Sequence, residues 1–213
     1  MAANTIVITT GGSLGHWAIP IIKNCDYLIG ADQGALFLVE QGYEPDLAIG
    51  DFDSVTELQF AQIAAVSRQT ERCDAIDKNY TDTELAFRHA LAIKPKQLIM
   101  LGALGTRFDH SLANVHLLRL ALQAGVDAVI IDEHNSIRAV DRELTLEPAA
   151  YPNVSLLPLT LEVTGITLKG FAYPLEDAAI TLGQSLGISN RLEAAQGVIL
   201  VKTGIVLVIQ SRD

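Results

Sequence analysis

The sequence predicts an α/β protein: an N-terminal doubly wound, mostly parallel sheet with helices on both faces, followed by a C-terminal all-β sandwich or jelly-roll-like domain. Three observations predict it. Short unbroken apolar runs alternate with helical spacing over residues 1–134, the pattern of strands buried on both faces. Helical periodicity fades after about residue 135, and short β-rich runs punctuated by proline replace it over 135–213. Several of the apolar runs in the first part end at glycine and acidic residues, as strands do when they deliver side chains to the ligand-binding end of an open sheet.

The first run, Thr5-Ile6-Val7-Ile8-Thr9, is β-branched and stops at Gly11-Gly12. Residues 27–30, 47–49, 97–101 and 128–131 supply four further buried strands. Between them, helical patterns occupy residues 34–41, 56–66, 83–93 and 111–124, with Asp82 and Asp109 at expected N-cap positions. In the second part, residues 136–140, 154–157 and 161–164 read as strands. Val198–Val201 and Ile205–Ile209 flank Lys202-Thr203-Gly204 and read as a closing hairpin.

Bulk composition narrows the class. With 213 residues, 49% hydrophobic and 19% charged, the chain is long and apolar enough to bury a core. A formal net charge of −10 argues against a general nucleic-acid binder. Cys25 and Cys73 are too few for a disulfide framework or a thiolate metal site. No apolar run reaches the ~20 residues that span a bilayer, and the N-terminus lacks a secretory layout. The expectation is a cytoplasmic protein that neither enters a membrane nor binds nucleic acid.

The segment Asp46-Leu47-Ala48-Ile49-Gly50-Asp51-Phe52-Asp53-Ser54 carries the most chemistry. Two carboxylates two residues apart repel unless a cation or a proton lies between them. Mg²⁺ prefers oxygen ligands and often carries a substrate phosphate. Acids recur at Asp32 in Gly30-Ala31-Asp32-Gln33-Gly34, at Asp77 to Glu84 around Asp82, and at Asp109 in Gly102-Ala103-Leu104-Gly105-Thr106-Arg107-Phe108-Asp109-His110. The chain contains no G-x-x-x-x-G-K-[ST], which excludes a Walker P-loop. Gly11, Gly12, Gly102 and Gly105 would let backbone N–H groups approach phosphates, and Arg107 offers a guanidinium fork that suits phosphate oxygens.

Taken together, Ala31-Asp32-Gln33-Gly34, Pro45-Asp46 through Ser54, Thr81-Asp82-Thr83-Glu84, Gly102 through His110 with Asn114, and Gly187-Ile188-Ser189-Asn190 resemble the thiamine pyrophosphokinase family over nearly the whole chain. The resemblance implies transfer of a pyrophosphoryl group from ATP to the hydroxyl of thiamine, giving thiamine diphosphate and AMP. It implies a nucleotide-binding catalytic domain over 1–134 and a thiamine-binding domain over 135–213. It also implies a homodimer with the active site at the subunit interface. Under it, Asp51, Asp53 and Asp82 hold Mg²⁺, and Asp82 or Asp109 orients or deprotonates the hydroxyl. Gly12, Asp32, Gly34, Lys78, Thr81, Gly102, Gly105 and Arg107 serve ATP. Tyr173 falls where the family often carries Trp and would face the thiazolium cation, with Ser189 and Asn190 near the aminopyrimidine. Two alternatives stay open: a pyrophosphokinase for another hydroxymethyl heterocycle such as a pterin, and a thiamine- or nucleotide-binding protein without turnover.

Overall fold

The computed structural model describes residues 3–73 and 79–213. Two compact units divide the chain, Met1–Glu133 and His134–Asp213. The mixed α/β first unit and the antiparallel second unit are the two classes the sequence predicts.

In the first unit the strands are β1 (Thr5–Thr9), β2 (Tyr27–Ala31), β3 (Leu47–Gly50), β4 (Thr70–Arg72), β5 (Gln97–Leu101) and β6 (Asp127–Ile131). They pair in parallel in the order β6-β5-β1-β2-β3-β4. Ile6, Val7, Ile8, Ile29, Leu47, Ala48, Leu98, Met100 and Leu101 are buried, because a central parallel strand is covered on both faces. From β1 the chain moves outward to β4, then returns to place β5 on the other side of β1. The gap between β1 and β5 is therefore the topological switch point. β4 lies outside the apolar pattern of the sequence. Its residues Thr70-Glu71-Arg72 are polar and at most half-buried, as an edge strand tolerates.

The helices are α1 (Ile19–Ile22), α2 (Gln33–Glu40), α3 (Glu57–Val66), α4 (Asp82–Ile93) and α5 (Phe108–Ala124). Ile22 of α1 and Leu38 of α2 share one apolar cluster with Val7, Leu28, Ile99 and Val129. Right-handed crossovers place α1, α2 and α3 on one face of the sheet and send α4 and α5 to the other once the strand order reverses. Thr56 starts α3 with a capping box: its side chain accepts from Gln59 N–H, and Gln59 accepts from Thr56 N–H at 2.8 Å.

Two N-cap expectations need correction. Thr81, not Asp82, caps α4, accepting from Glu84 N–H at 3.2 Å. Arg107 occupies the cap position of α5, which starts three residues earlier than the apolar periodicity indicates. Asp82 and Asp109 instead fall in the first turns, where a carboxylate still favours the helix dipole.

The second unit stacks two antiparallel sheets. One has β7 (Asn135–Val140), β9 (Asn153–Pro158), β12 (Asn190–Arg191) and β14 (Val206–Ser211) in the order β12-β9-β14-β7. The other has β8 (Glu143–Leu146), β10 (Glu162–Lys169), β11 (Leu175–Thr181) and β13 (Gly197–Leu200) in the order β11-β10-β13-β8. Val154, Leu156, Val206 and Val208 from the first sheet meet Val163, Ile166, Ile180 and Ile199 from the second in one core, a sandwich arrangement.

The expected closing hairpin is absent from the described residues. β13 pairs with β8 and β10, whereas β14 pairs with β7 and β9, so residues 201–205 carry the chain from one sheet to the other. Gly204, at φ +85°, makes that passage, and a Cβ there would meet the Glu162 carbonyl oxygen at 2.4 Å. A hairpin and a sheet-switching arch present the same sequence pattern, because both place apolar runs on either side of a glycine turn. Among the described residues no helix is long and apolar enough to cross a membrane.

Candidate active site

The C-terminal ends of β1, β2, β3 and β5 surround a cleft of about 600 Å³ at the switch point. It is built from the loops that follow these strands and from the starts of α2, α4 and α5.

The loop after β3 supplies the central acids. Gly50 ends the strand and Phe52 adopts a left-handed backbone at φ 57°. Phe52 is buried against Ala35, Ala48 and Ile63, with its ring 4.9 Å from that of Phe60. Its neighbours Asp51 and Asp53 both line the cleft. One buried aromatic thus anchors the loop while the acids two residues apart emerge together. A positive φ on a bulky residue costs roughly 1–3 kcal/mol and persists only where surrounding packing enforces it.

Asp32 is held in a similarly unusual backbone, φ 50°, between β2 and α2. Its N–H donates to the Ile49 carbonyl at 3.1 Å, and Ser54 Oγ donates to its Oδ2 in a short contact. Its Oδ1 is buried and has no hydrogen-bond partner, one of two such side-chain atoms among the described residues. Burial pushes the Asp32 carboxyl above its usual range, against the lowering effect of the Ser54 and Gln33 hydrogen bonds; Asp53 and Asp51 add to the rise.

Oxygen atoms of Asp32, Asp51 and Asp53 all lie within 4.8 Å of one another. Oxygens on opposite sides of a Mg²⁺ ion are about 4 Å apart, so this all-carboxylate set suits a small hard cation. The buried, unpartnered Asp32 oxygen keeps its acceptor capacity for such a cation.

Asp82 stands beside this group. Its Oδ1 accepts from Asp51 N–H at 3.2 Å. Burial first, and Asp51 and Asp32 next, raise its carboxyl to about 6. The sequence-derived trio of Asp51, Asp53 and Asp82 is therefore split: Asp51 and Asp53 converge with Asp32, and Asp82 backs them through the Asp51 backbone.

The opposite wall comes from the loops after β1 and β5. Gly12 N–H donates to the Gly102 carbonyl and Ser13 N–H to the Leu104 carbonyl, both at 2.8 Å. A Cβ at Gly12 would lie 2.2 Å from the Gly102 oxygen, so no other residue allows the two loops to meet. Two buried polar residues on α5 pin the second loop. Ser111 Oγ accepts from Gly105 N–H at 3.0 Å, and Asn114 Nδ2 donates to the Ala103 carbonyl at 2.8 Å.

Gly34 lies at the start of α2, where a Cβ would come 2.1 Å from the Thr9 carbonyl oxygen. Arg107 lines the cleft and pairs with Asp109 at 2.6 Å on an exposed surface. That guanidinium holds the Asp109 carboxyl below its usual range. Asp109 itself is not among the lining residues. Lys78 lies outside the described residues.

Sequence reasoning missed Thr10, Gln33, Tyr80 and Ser111, which also line the cleft. For Ser111 a signal existed: with Asn114 it breaks a helix stripe whose other buried members, Val115, Leu118 and Ala121, are apolar. Tyr80 is exposed, with the Arg88 guanidinium 4.5 Å above its ring.

Tyr173, Ser189 and Asn190 belong to the second unit. The Tyr173 side chain is open to solvent, the residue being 64% exposed. Asn190 is 4% exposed and binds both backbone groups of Tyr173. Ser189 has φ 58° and donates its N–H to Ser155 Oγ at 3.0 Å.

Comparison with known proteins identifies the family. Residues 19–130 match the family model for the catalytic domain of thiamin pyrophosphokinase, and residues 141–206 match that for its vitamin B1 binding domain. Thiamine pyrophosphokinase of Bacillus subtilis (strain 168) is 34% identical over 187 residues, covering 87% of each chain. A crystal structure of the Bacillus subtilis enzyme superposes with a TM-score of 0.90 at 32% identity, covering 98% of this chain and 99% of that one. A thiamin pyrophosphokinase from Geobacillus thermodenitrificans gives a TM-score of 0.88 at 30% identity, covering 98% of both. The chain therefore belongs to the thiamine pyrophosphokinase family and is a transferase of that class.

Proposed function

We propose that the protein transfers a pyrophosphoryl group from ATP to the hydroxyl of thiamine in a Mg²⁺-dependent reaction, releasing AMP. The observation that carries this reading is the convergence of Asp32, Asp51 and Asp53 in a cleft at the switch point, with one buried Asp32 oxygen left without a partner.

Asp32, Asp51 and Asp53 would hold the ion. An ion held there would supply positive charge to offset that of the polyphosphate and of the departing AMP. Gly11, Gly12, Gly102 and Gly105 of the loops after β1 and β5 line the same cleft and let a polyphosphate lie close to the backbone, although the N–H groups of Gly12 and Gly105 are donated within the protein. Arg107 reaches the polyphosphate oxygens by exchanging its exposed Asp109 contact for a phosphate.

Asp82 is better suited than Asp109 to receive the hydroxyl proton. It lines the cleft beside Asp51, and burial, the largest cause of its raised carboxyl, favours a proton there. Asp109 is committed to Arg107 at the surface. On this reading the first unit binds the nucleotide and the second, through Tyr173 and Ser189, binds thiamine. Lys78 is also assigned to ATP, on the family resemblance alone. The chain acts in the cytoplasm as a homodimer with its active site at the subunit interface. Leu182, Leu186 and Ile188, all exposed on the second unit, support a covering partner.

The test is AMP release from ATP and Mg²⁺ with and without thiamine. Stimulation by thiamine is expected. Its absence, together with stimulation by a hydroxymethylpterin, would replace thiamine by a pterin as acceptor. Undiminished turnover in both Asp32→Asn and Asp53→Asn would remove the metal assignment.

A further inference from the structure

We infer that Asn190 is a positioning residue that fixes the backbone from which the Tyr173 ring projects, and not a group that contacts the substrate. The inference rests on the proposal that Tyr173 is the aromatic face for thiamine.

Asn190 opens β12 and is almost fully buried. Its Oδ1 accepts from Tyr173 N–H at 3.0 Å and from Arg191 N–H at 2.9 Å. Its Nδ2 donates to the Tyr173 carbonyl at 2.7 Å. An amide oxygen has two acceptor sites, and both are filled by the protein's own backbone. It has none left for a ligand's amino group.

The geometry states what the side chain does instead. It binds the N–H and the C=O of one and the same residue, as a neighbouring strand would. Around it the segment is tied down: Ala172 N–H donates to the Arg191 carbonyl at 2.9 Å, Glu193 N–H to the Gly170 carbonyl at 3.0 Å, and Phe171 and Leu192 form an isolated bridge. Pro174 follows and restricts the backbone of Tyr173 to extended conformations.

Tyr173 needs this. At 64% exposure its ring has little packing to hold it, so the backbone must at least fix where its Cα–Cβ bond points. A backbone ordered beforehand removes that share of the ordering cost from the binding event. Asp lacks the donor, Ser and Thr are too short to span both groups, and Gln's extra methylene would carry its amide past them. Asn alone supplies a donor and an acceptor at this reach.

The experiment uses the full chain and four variants: Asn190→Ala, Asn190→Asp, Tyr173→Ala and the Tyr173→Ala/Asn190→Ala double. Steady-state KM for thiamine and for ATP is read alongside the hydrogen-exchange rate of the Tyr173 amide by NMR without substrate. Asn190→Ala is expected to raise the thiamine KM about tenfold while the ATP KM stays within about twofold. The Tyr173 amide should exchange at least about tenfold faster. The double variant should have the thiamine KM of Tyr173→Ala, since a residue acting through another adds nothing once that other is gone.

Effects of the two substitutions that multiply would overturn the inference, as would a raised thiamine KM with unchanged exchange at Tyr173. Faster exchange with an unchanged thiamine KM would also overturn it. Should Asn190→Ala fail to fold, Asn190→Asp keeps the size and the acceptor and loses the donation to the Tyr173 carbonyl. It sets a carboxylate oxygen against the Tyr173 carbonyl, so it is expected to raise the thiamine KM by at least as much, and an unchanged thiamine KM refutes the role. An unchanged thiamine KM in Tyr173→Ala is a different failure: it removes the aromatic-platform reading, and this inference with it.

Discussion

Replacing Asp82 by asparagine should stabilise the ion-free protein while impairing its chemistry. Asn keeps an oxygen for the Asp51 N–H bond and removes a charge that its surroundings oppose. The carboxyl rises from 3.8 to about 6, first through burial and then through Asp51 and Asp32. The folded state thus binds more protons than the unfolded state between about pH 4 and 6. Stability contributed by the protonated form is complete below the unfolded value and is lost as pH rises through that window. The full shift corresponds to about 3 kcal/mol. Asp82 is only half-buried, and solvent screening reduces this to about 1 kcal/mol.

The assay is thermal unfolding in EDTA, followed through Trp17, the chain's one tryptophan, which packs against the apolar cluster of the first unit. At about pH 7.5 the variant should melt about 2–4 °C above the parent. The gap should close as pH falls to about 4. Added Mg²⁺ should raise the parent's midpoint more than the variant's, because the cation relieves the same repulsion. A variant that melts at or below the parent near neutral pH, or a gap that widens on acidification, would refute the electrostatic account.

Three further outcomes follow from packing and pairing. Gly34→Ala should cost about 2–3 kcal/mol in a denaturant melt, since the new methyl group meets the Thr9 carbonyl and backbone must move. Asn114→Ala should cost about 1–2 kcal/mol by the same melt and raise the KM for ATP, because the loop at Ala103 loses its tether. Arg107→Ala should leave the melting midpoint nearly unchanged, its ion pair with Asp109 being exposed, yet raise the KM for ATP about tenfold; equal effects on both would deny it a phosphate role.

Strands buried on both faces are readable because a short, unbroken apolar run has no polar side to turn to water. β1, β2, β3, β5 and β6 fall where the runs place them. β4 escapes because pairing on one side only asks little of Thr70-Glu71-Arg72. The acids at strand ends are visible as residue types, but their grouping is not. Asp32 and Asp82 occupy similar places in the sequence, one after a strand and one at a helix start. Only the left-handed turns at Asp32 and Phe52 decide that Asp32 joins Asp51 and Asp53. Local sequence carries little information about such backbone excursions, since neither residue is one that prefers them strongly. The double use of Asn190 is equally hidden, because its partner is seventeen residues away and no spacing rule links them.

The placement of β14 between β9 and β7 bears on how the molecule is made. Those two earlier strands do not pair with each other; the strand that joins them is synthesised after both. The first unit has all its strands by residue 131 and can reach its native form during translation. The second must hold its apolar segments in an unfinished state until Val206–Ser211 arrives. That interval is the period of greatest exposure to aggregation and the one in which a chaperone would matter most.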